Sequence, residues 1–150
     1  MRIVLVEPQH PGNIGAVARA MANFGLTDLA MVNGCELADE SYARSKSGKP
    51  ILENSKRYKT IEDAIANCDI AIGTSGIKPE GDKRWFRAPE NVGRINEIIT
   101  EREKPALLFG RENYGLYREE LALCEATITI PTNPEYPVLN LSHAVAIVLY

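Results

Sequence analysis

The strongest constraint on the fold is a repeated order: short apolar, β-branched runs, each followed by a segment with helical spacing. "RIVLV" (2–6) is a strand candidate. The segment after it places Ile14, Val17, Ala18, Met21 and Phe24 at helical intervals, and Gly25 stands where such a helix stops. "LAMV" (29–32) is a second strand, and "TIEDAIANC" (60–68) a helix with Thr60 as N-cap and Asp63 at the capping-box position. "DIAIGTS" (69–75), "PALLFG" (105–110) and "ATITI" (126–130) read as further strands. Helices are expected over about 89–101, 117–124 and 140–150, and a short strand or irregular piece near Pro50–Glu53. Strands alternating with helices indicate an α/β fold, a mainly parallel sheet flanked by helices.

Composition narrows the class. With 150 residues, 45% of them hydrophobic and 25% charged, the chain matches a soluble globular domain able to bury a core. No run approaches the roughly 20 apolar residues of a membrane span. Glu7 follows "RIVLV" at once, so the apolar region of a signal peptide is missing, and a cytoplasmic protein is expected. Cys35, Cys68 and Cys124 are widely spaced without a C-x-x-C, and only His10 and His143 could join them. Neither a disulfide framework nor a metal site is expected. The chain stops inside a helical pattern at Tyr150, as a natural terminus or a shortened longer protein would.

The charge is unevenly spread. The chain carries a net −3, yet Arg44, Lys46, Lys49, Lys56, Arg57 and Lys59 face the single Glu53 within residues 44–59. A second cluster, "KRWFR" (83–87), sets three basic residues around Trp85 and Phe86. Interleaved basic and aromatic side chains suit phosphates and unstacked bases. A solvated surface and a Trp–Phe pair under a loop would look the same.

In open parallel sheets, ligands bind in loops beyond the carboxyl ends of the strands. Four such loops here are rich in glycine, proline and small polar residues: "EPQHPGNIG", "GTSG", "FGRENYG" and "IPTNPEYPVLN". The first invites a dinucleotide-binding reading, but it supplies only G-x-x-G, and the acidic residue for a ribose would have to be Glu36 or Asp39, beyond the next strand. "FGRENYG" is either a tight turn with an exposed Arg111–Glu112 pair or a place of close backbone approach. Asn140 is either a helix N-cap or a site residue. No Ser–His–Asp order, paired carboxylates or P-loop is present. One residue stands out. Arg19 is the only formally charged side chain from Pro8 to Thr27 with His10 neutral, in a helix that reads as largely buried. A buried unpaired charge costs several kcal/mol, so Arg19 is expected to meet a fixed partner or a ligand.

"PGNIGAVARAM", "LLFGRENYGL" and "IPTNPEYPVLNLSHAV" closely resemble the three motifs of the SPOUT methyltransferases, SpoU/TrmH branch, in order over essentially all 150 residues. The similarity is strongest to members that 2′-O-methylate the anticodon loop of tRNA, at nucleotide 32. The resemblance implies a SPOUT domain over 1–150 with a C-terminal deep trefoil knot, S-adenosylmethionine as cofactor, RNA (above all tRNA) as partner, and a homodimer with its active site between subunits. The C-terminal extension of some relatives is expected to be lacking. It also implies a catalytic set of Arg19, Asn13, Glu112 and Asn140, with Ser142 as a further motif 3 polar residue. A cofactor-binding set follows by position: Thr74, Ser75, Gly76, Gly110, Ile130, Pro137, Val138 and Leu139. Val138 stands where many of the branch have serine, so a hydroxyl there is not essential in this chain.

A guanidinium, with a pKa above about 12, is a poor general base. Arg19 is therefore expected to bind a phosphate beside the target ribose and to stabilise developing oxyanion charge, with Asn13 and Glu112 orienting it or the backbone around it. Gly15 and Ala16, one turn earlier, read as clearance for an RNA backbone. The rival readings are a ribosomal RNA methyltransferase, a nucleotide-dependent dehydrogenase, and a non-catalytic RNA- or cofactor-binding module of the same fold.

Overall fold

The computed structural model describes residues 1–76, 90–99 and 104–150. Seven strands among them form one sheet: β1 (Arg2–Val6), β2 (Asp28–Val32), β3 (Lys56–Tyr58), β4 (Ile70–Thr74), β5 (Glu90–Asn91), β6 (Pro105–Phe109) and β7 (Ala126–Thr129). Their spatial order is β3-β2-β1-β6-β4-β7-β5, and every pairing is parallel. β6 lies at the centre with β1 next to it, and Ile3 of β1 sits beside Leu29 on one flank and Leu107 on the other.

Parallel strands buried on both faces read as continuous apolar runs, and β1 and β6 are buried throughout. Alternation splits them between two cores. Ile3, Leu5, Leu29, Met31, Leu107 and Phe109 pack with helices α1 (Pro11–Asn23) and α7 (Leu141–Leu149). Val4, Val6, Ala30, Val32, Ala106 and Leu108 face the other side, with Ile61 and Ala64 of α4 (Ile61–Ile65). The remaining described helices are α2 (Asp39–Ser45), α3 (Lys49–Glu53), α5 (Ile95–Ile99) and α6 (Arg118–Leu121).

Local signals account for the boundaries. Pro11 opens α1, where its missing N–H costs nothing, and Gly25 at φ 70° ends it. Thr60 Oγ1 accepts from the Asp63 N–H, the N-cap read from sequence. Two expectations are corrected. Lys49–Glu53 is a helix, opened by Pro50 in its first turn, and the extended piece lies later, at Lys56–Tyr58. The helix expected over 89–101 begins only at Ile95, after the short strand β5. The "KRWFR" cluster lies outside the described residues.

Gly15 is buried, not open to solvent. A Cβ on it would fall inside contact distance of the Ser41 backbone on α2. The small residue at 15 thus serves the packing of α1 against α2, and the expected clearance for RNA does not exist there. Ser41 Oγ completes this junction by donating to the Pro11 carbonyl at 2.9 Å.

Candidate active site

The carboxyl ends of β1, β4, β6 and β7 open into one region, as the strand order requires. β1 runs into Glu7, held at φ 47°, and the chain turns from there into α1. β6 runs into the loop 110–115, which closes on itself: the Arg111 N–H donates to the Gly115 carbonyl at 3.1 Å and the Gly115 N–H to the Arg111 carbonyl at 2.8 Å. Gly115 takes φ 66°, and a Cβ on Gly110 would collide with the Gly115 backbone. Both glycines of "FGRENYG" are therefore demanded by this closure. Gly110 is tied to the loop itself, so Gly110→Val would break the loop before it tested any ligand.

Four sequence-predicted polar residues meet in a single network. The Glu112 carboxylate accepts from the Gln9 N–H at 2.9 Å, the His10 N–H at 3.1 Å and Asn13 Nδ2 at 2.9 Å. Asn13 Oδ1 accepts from Asn140 Nδ2 at 3.1 Å. Asn140 Oδ1 then accepts from the Ser142 N–H at 2.9 Å and Ser142 Oγ at 2.7 Å. Asn140 is thus both a helix N-cap and a member of the site; the sequence alternatives were not exclusive. Burial opposes the charge on Glu112, but the bonds from Asn13 and the Gln9 and His10 amides outweigh it and hold its pKa below the ordinary value. An ionised Glu112 accepts only, so the nitrogen of Asn13 must face it, and each amide further along is oriented in turn. One N–H of Asn13 and one of Asn140 remain for a substrate.

Beside this network lies a cleft of about 700 Å³, open solvent at its mouth included. Thr74, Ser75, Gly76, Gly110, Ile130, Pro137, Val138 and Leu139, all eight residues expected around a cofactor, line it. Phe109, Leu141 and Ala144 add apolar wall, and Glu112, Asn113 and Tyr114 form its polar side. Val138 stays 45% exposed and Tyr114 68%, apolar surface that a flat ligand would cover. Among the described residues, a Cβ on Gly76 would meet only the Pro137 carbonyl, at an ordinary contact distance of 3.6 Å. Apolar walls, a glycine kept free of its own chain and a few fixed polar groups fit the adenosine part of an S-adenosylmethionine. Thr74 Oγ1 donates to the Leu108 carbonyl at 2.9 Å, which fixes its side chain on that wall.

The two arginines of the motifs exchange the places expected of them. Arg19 is exposed and, among the described residues, makes no hydrogen bond or ion pair. Its helix is buried as expected through Ile14, Val17, Ala18 and Met21, but Arg19 falls on the outer stripe with half-buried Ala16 and exposed Asn23. Arg111 is the buried charge. Its side chain is 5% exposed. Nε donates to Glu7 at 2.8 Å, the two terminal nitrogens to Glu120 at 3.0 and 2.9 Å, and the ring of Tyr117 lies 4.1 Å away. Chiefly through Glu120, these partners raise the Arg111 pKa. Sequence reasoning took Arg111 and Glu112 as a pair and missed Glu7 and Glu120. The available signal was Glu120, three residues after Tyr117 at the start of α6, where it accepts the Tyr117 N–H at 2.6 Å.

The Cys124 thiol is pushed up to about 12, by burial above all, and is not a nucleophile. Among the described residues no group of His, Cys, Asp or Glu could hold a metal ion, and no helix is long and apolar enough to cross a membrane.

A parallel sheet whose strand ends bring three separated motifs around one apolar cleft is the architecture of a SPOUT-type methylase. The chain belongs to the SpoU rRNA methylase family, whose family model matches residues 1–150. It is 39% identical over 150 residues to the tRNA (cytidine-2′-O-)-methyltransferase TrmJ of Methanocaldococcus jannaschii, covering 99% of this chain and 65% of that protein. The crystal structure of TrmJ from Z. mobilis ZM4 superposes with a TM-score of 0.89 at 33% identity, covering 99% of this chain and 66% of that one. The same fold recurs, at a TM-score of 0.76 and 22% identity, in the SpoU methyltransferase AviRb of Streptomyces viridochromogenes, solved with AdoMet; 100% of this chain and 58% of that one are covered. The chain thus spans less than two thirds of the length of the curated TrmJ relative.

Proposed function

We propose that this chain is an S-adenosylmethionine-dependent methyltransferase acting on the 2′-hydroxyl of a ribose in tRNA, at nucleotide 32 of the anticodon loop. The observation that carries the reading is the Glu112–Asn13–Asn140 network set against the cleft, because it fixes two amide donors beside a site shaped for a nucleoside. TrmJ of M. jannaschii, named for this reaction on cytidine, supplies the substrate class.

S-adenosylmethionine, when bound, supplies a methyl group already activated by its sulfonium. The residues Thr74–Gly76, Ile130 and Pro137–Leu139 would hold it. The chain's remaining task is alignment and charge. The free N–H groups of Asn13 and Asn140 orient the ribose, and Glu112 keeps both amides from rotating. Arg19 binds the adjacent phosphate and stabilises negative charge that develops on the 2′-oxygen, whose proton passes to bulk water.

Arg19 sits six residues beyond Asn13, about 9 Å along the helix and roughly 120° around it. It does not line the cleft of its own chain. The reading therefore includes a homodimer in which Arg19 serves the partner's cleft, and a C-terminal trefoil knot of the family type. Exposed Phe24 at the end of α1 and Ile147 on α7, helices that pack together, offer apolar surface for such pairing.

The test is transfer of labelled methyl groups to total tRNA and, separately, to ribosomal RNA, followed by mapping of the modified nucleotide. Label in tRNA at nucleotide 32 is expected. Label in ribosomal RNA alone overturns the substrate, and no label in either overturns the reaction.

A further inference from the structure

We infer that the turn Lys46–Gly48, docked on α1 beside Arg19, is a phosphate-binding surface that carries the RNA strand beyond the ribose held at the cleft. The inference rests on the RNA reading above and adds a substrate-holding surface that none of the three motifs contains.

The turn is built rigidly in an unfavourable conformation. Lys46 takes φ 50° and ψ −118°, a region that L side chains seldom enter. Buried residues on both sides hold it there. Ser45 is fully buried and donates through Oγ to the Tyr42 carbonyl at 2.9 Å. Gly48 is buried as well, and a Cβ on it would press into the Ala18 carbonyl and the Arg19 backbone. Only a glycine lets the turn reach α1 so closely. Between these anchors Lys46 and Ser47 are exposed, as is Lys49 just after them.

Charge points the same way. Arg44 is paired with Glu40 at 2.7 Å, Lys49 with Glu53 at 3.6 Å and Arg57 with Glu36 at 3.3 Å, all on exposed carboxylates. Lys46, like Arg19, has no ion-pair partner among the described residues. On a chain of net −3, a strained turn that presents a free lysine beside a free arginine is matched to an anionic strand. A sugar-phosphate backbone fits better than an acidic peptide, because the turn docks on the backbone of Ala18 and Arg19, and Arg19 binds a phosphate in the reading above.

The test is direct binding of fluorescently labelled tRNA by the intact chain across a salt series, together with methyl-transfer kinetics. Lys46→Gln combined with Lys49→Gln is expected to weaken tRNA binding about tenfold and to flatten the log Kd against log salt slope by about 0.7 per lost contact. KM for tRNA should rise while kcat and S-adenosylhomocysteine affinity stay unchanged. Lys104→Gln, an exposed lysine outside the segment, should change little. Unchanged binding by the double variant, an equal loss in Lys104→Gln, or no tRNA binding by the native chain each overturns the inference. Native chain that binds tRNA through these lysines yet transfers no methyl group would instead defeat the reaction and leave the surface standing.

Discussion

Arg111 and Arg19 lie in neighbouring motifs of one fold and have opposite surroundings. Arg111 is enclosed, with Glu7 and Glu120 accepting three bonds from its guanidinium and the Tyr117 ring lying against it. It ties the end of β1 to the start of α6 and so fixes the loop that presents Glu112. Arg19 is open, and nothing among the described residues holds it. Side-chain type does not separate the two; the number of fixed acceptors does. A charge paired from inside the chain supports the site, and a charge left open can act on something that arrives.

The first test of that contrast has the largest expected effect. Arg19→Ala should cost at least about 100-fold in kcat, the scale of losing a donor to developing charge, while stability to urea stays within about 0.5 kcal/mol. Arg111→Ala should do the reverse first, losing about 3 kcal/mol of stability as two carboxylates lose their cation. Similar stability losses in both would erase the distinction. Mixing Arg19→Ala chains with Asn140→Ala chains sharpens it: if Arg19 serves the partner's cleft, a two-fold dimer recovers about a quarter of native activity. No recovery would return Arg19 to its own chain.

Gly15→Ala follows, with an expected loss of about 2 kcal/mol from crowding against Ser41. A variant of native stability with weakened tRNA binding would restore Gly15 to the substrate side. The smallest effect concerns pH. Because the folded state holds the Glu112 pKa below its ordinary value of 4.5, its contribution is complete above that value and fades as pH falls through the lower, folded one. Glu112→Gln should flatten the acid limb of stability against pH. An acid limb identical to the native one would show that the network does not depend on the charge.

β1, β2, β4, β6 and β7 and their parallel direction were legible in the sequence, because apolar runs such as those of β1, β4 and β6 are long enough to be buried on both faces, whereas the two-residue β5 was read as helix. β3 was not, since "KRY" at the sheet edge carries no apolar signal. The residues around the cleft were legible through motif resemblance alone. Periodicity could not bring Ile130 to Gly76. The burial of Arg111 escaped for a related reason: its partners are 104 residues before it and 9 after it, and only the first loop's turn at Glu7 brings them together. The exposure of Arg19 was missed, though not its lack of an internal salt bridge, because a helix dominated by small apolar residues still has an outer stripe.

The polar network has one more consequence, for how the molecule comes into being. Its bonds join residues 99 and 127 positions apart, and every ladder of the sheet is parallel, so no local hairpin can preassemble them. Loop-closure entropy must be met before such contacts are rewarded, which makes folding slow. The site can form only when the last helix docks, so a partly folded chain has no partial activity. In refolding, recovery of cofactor binding should lag recovery of helical signal.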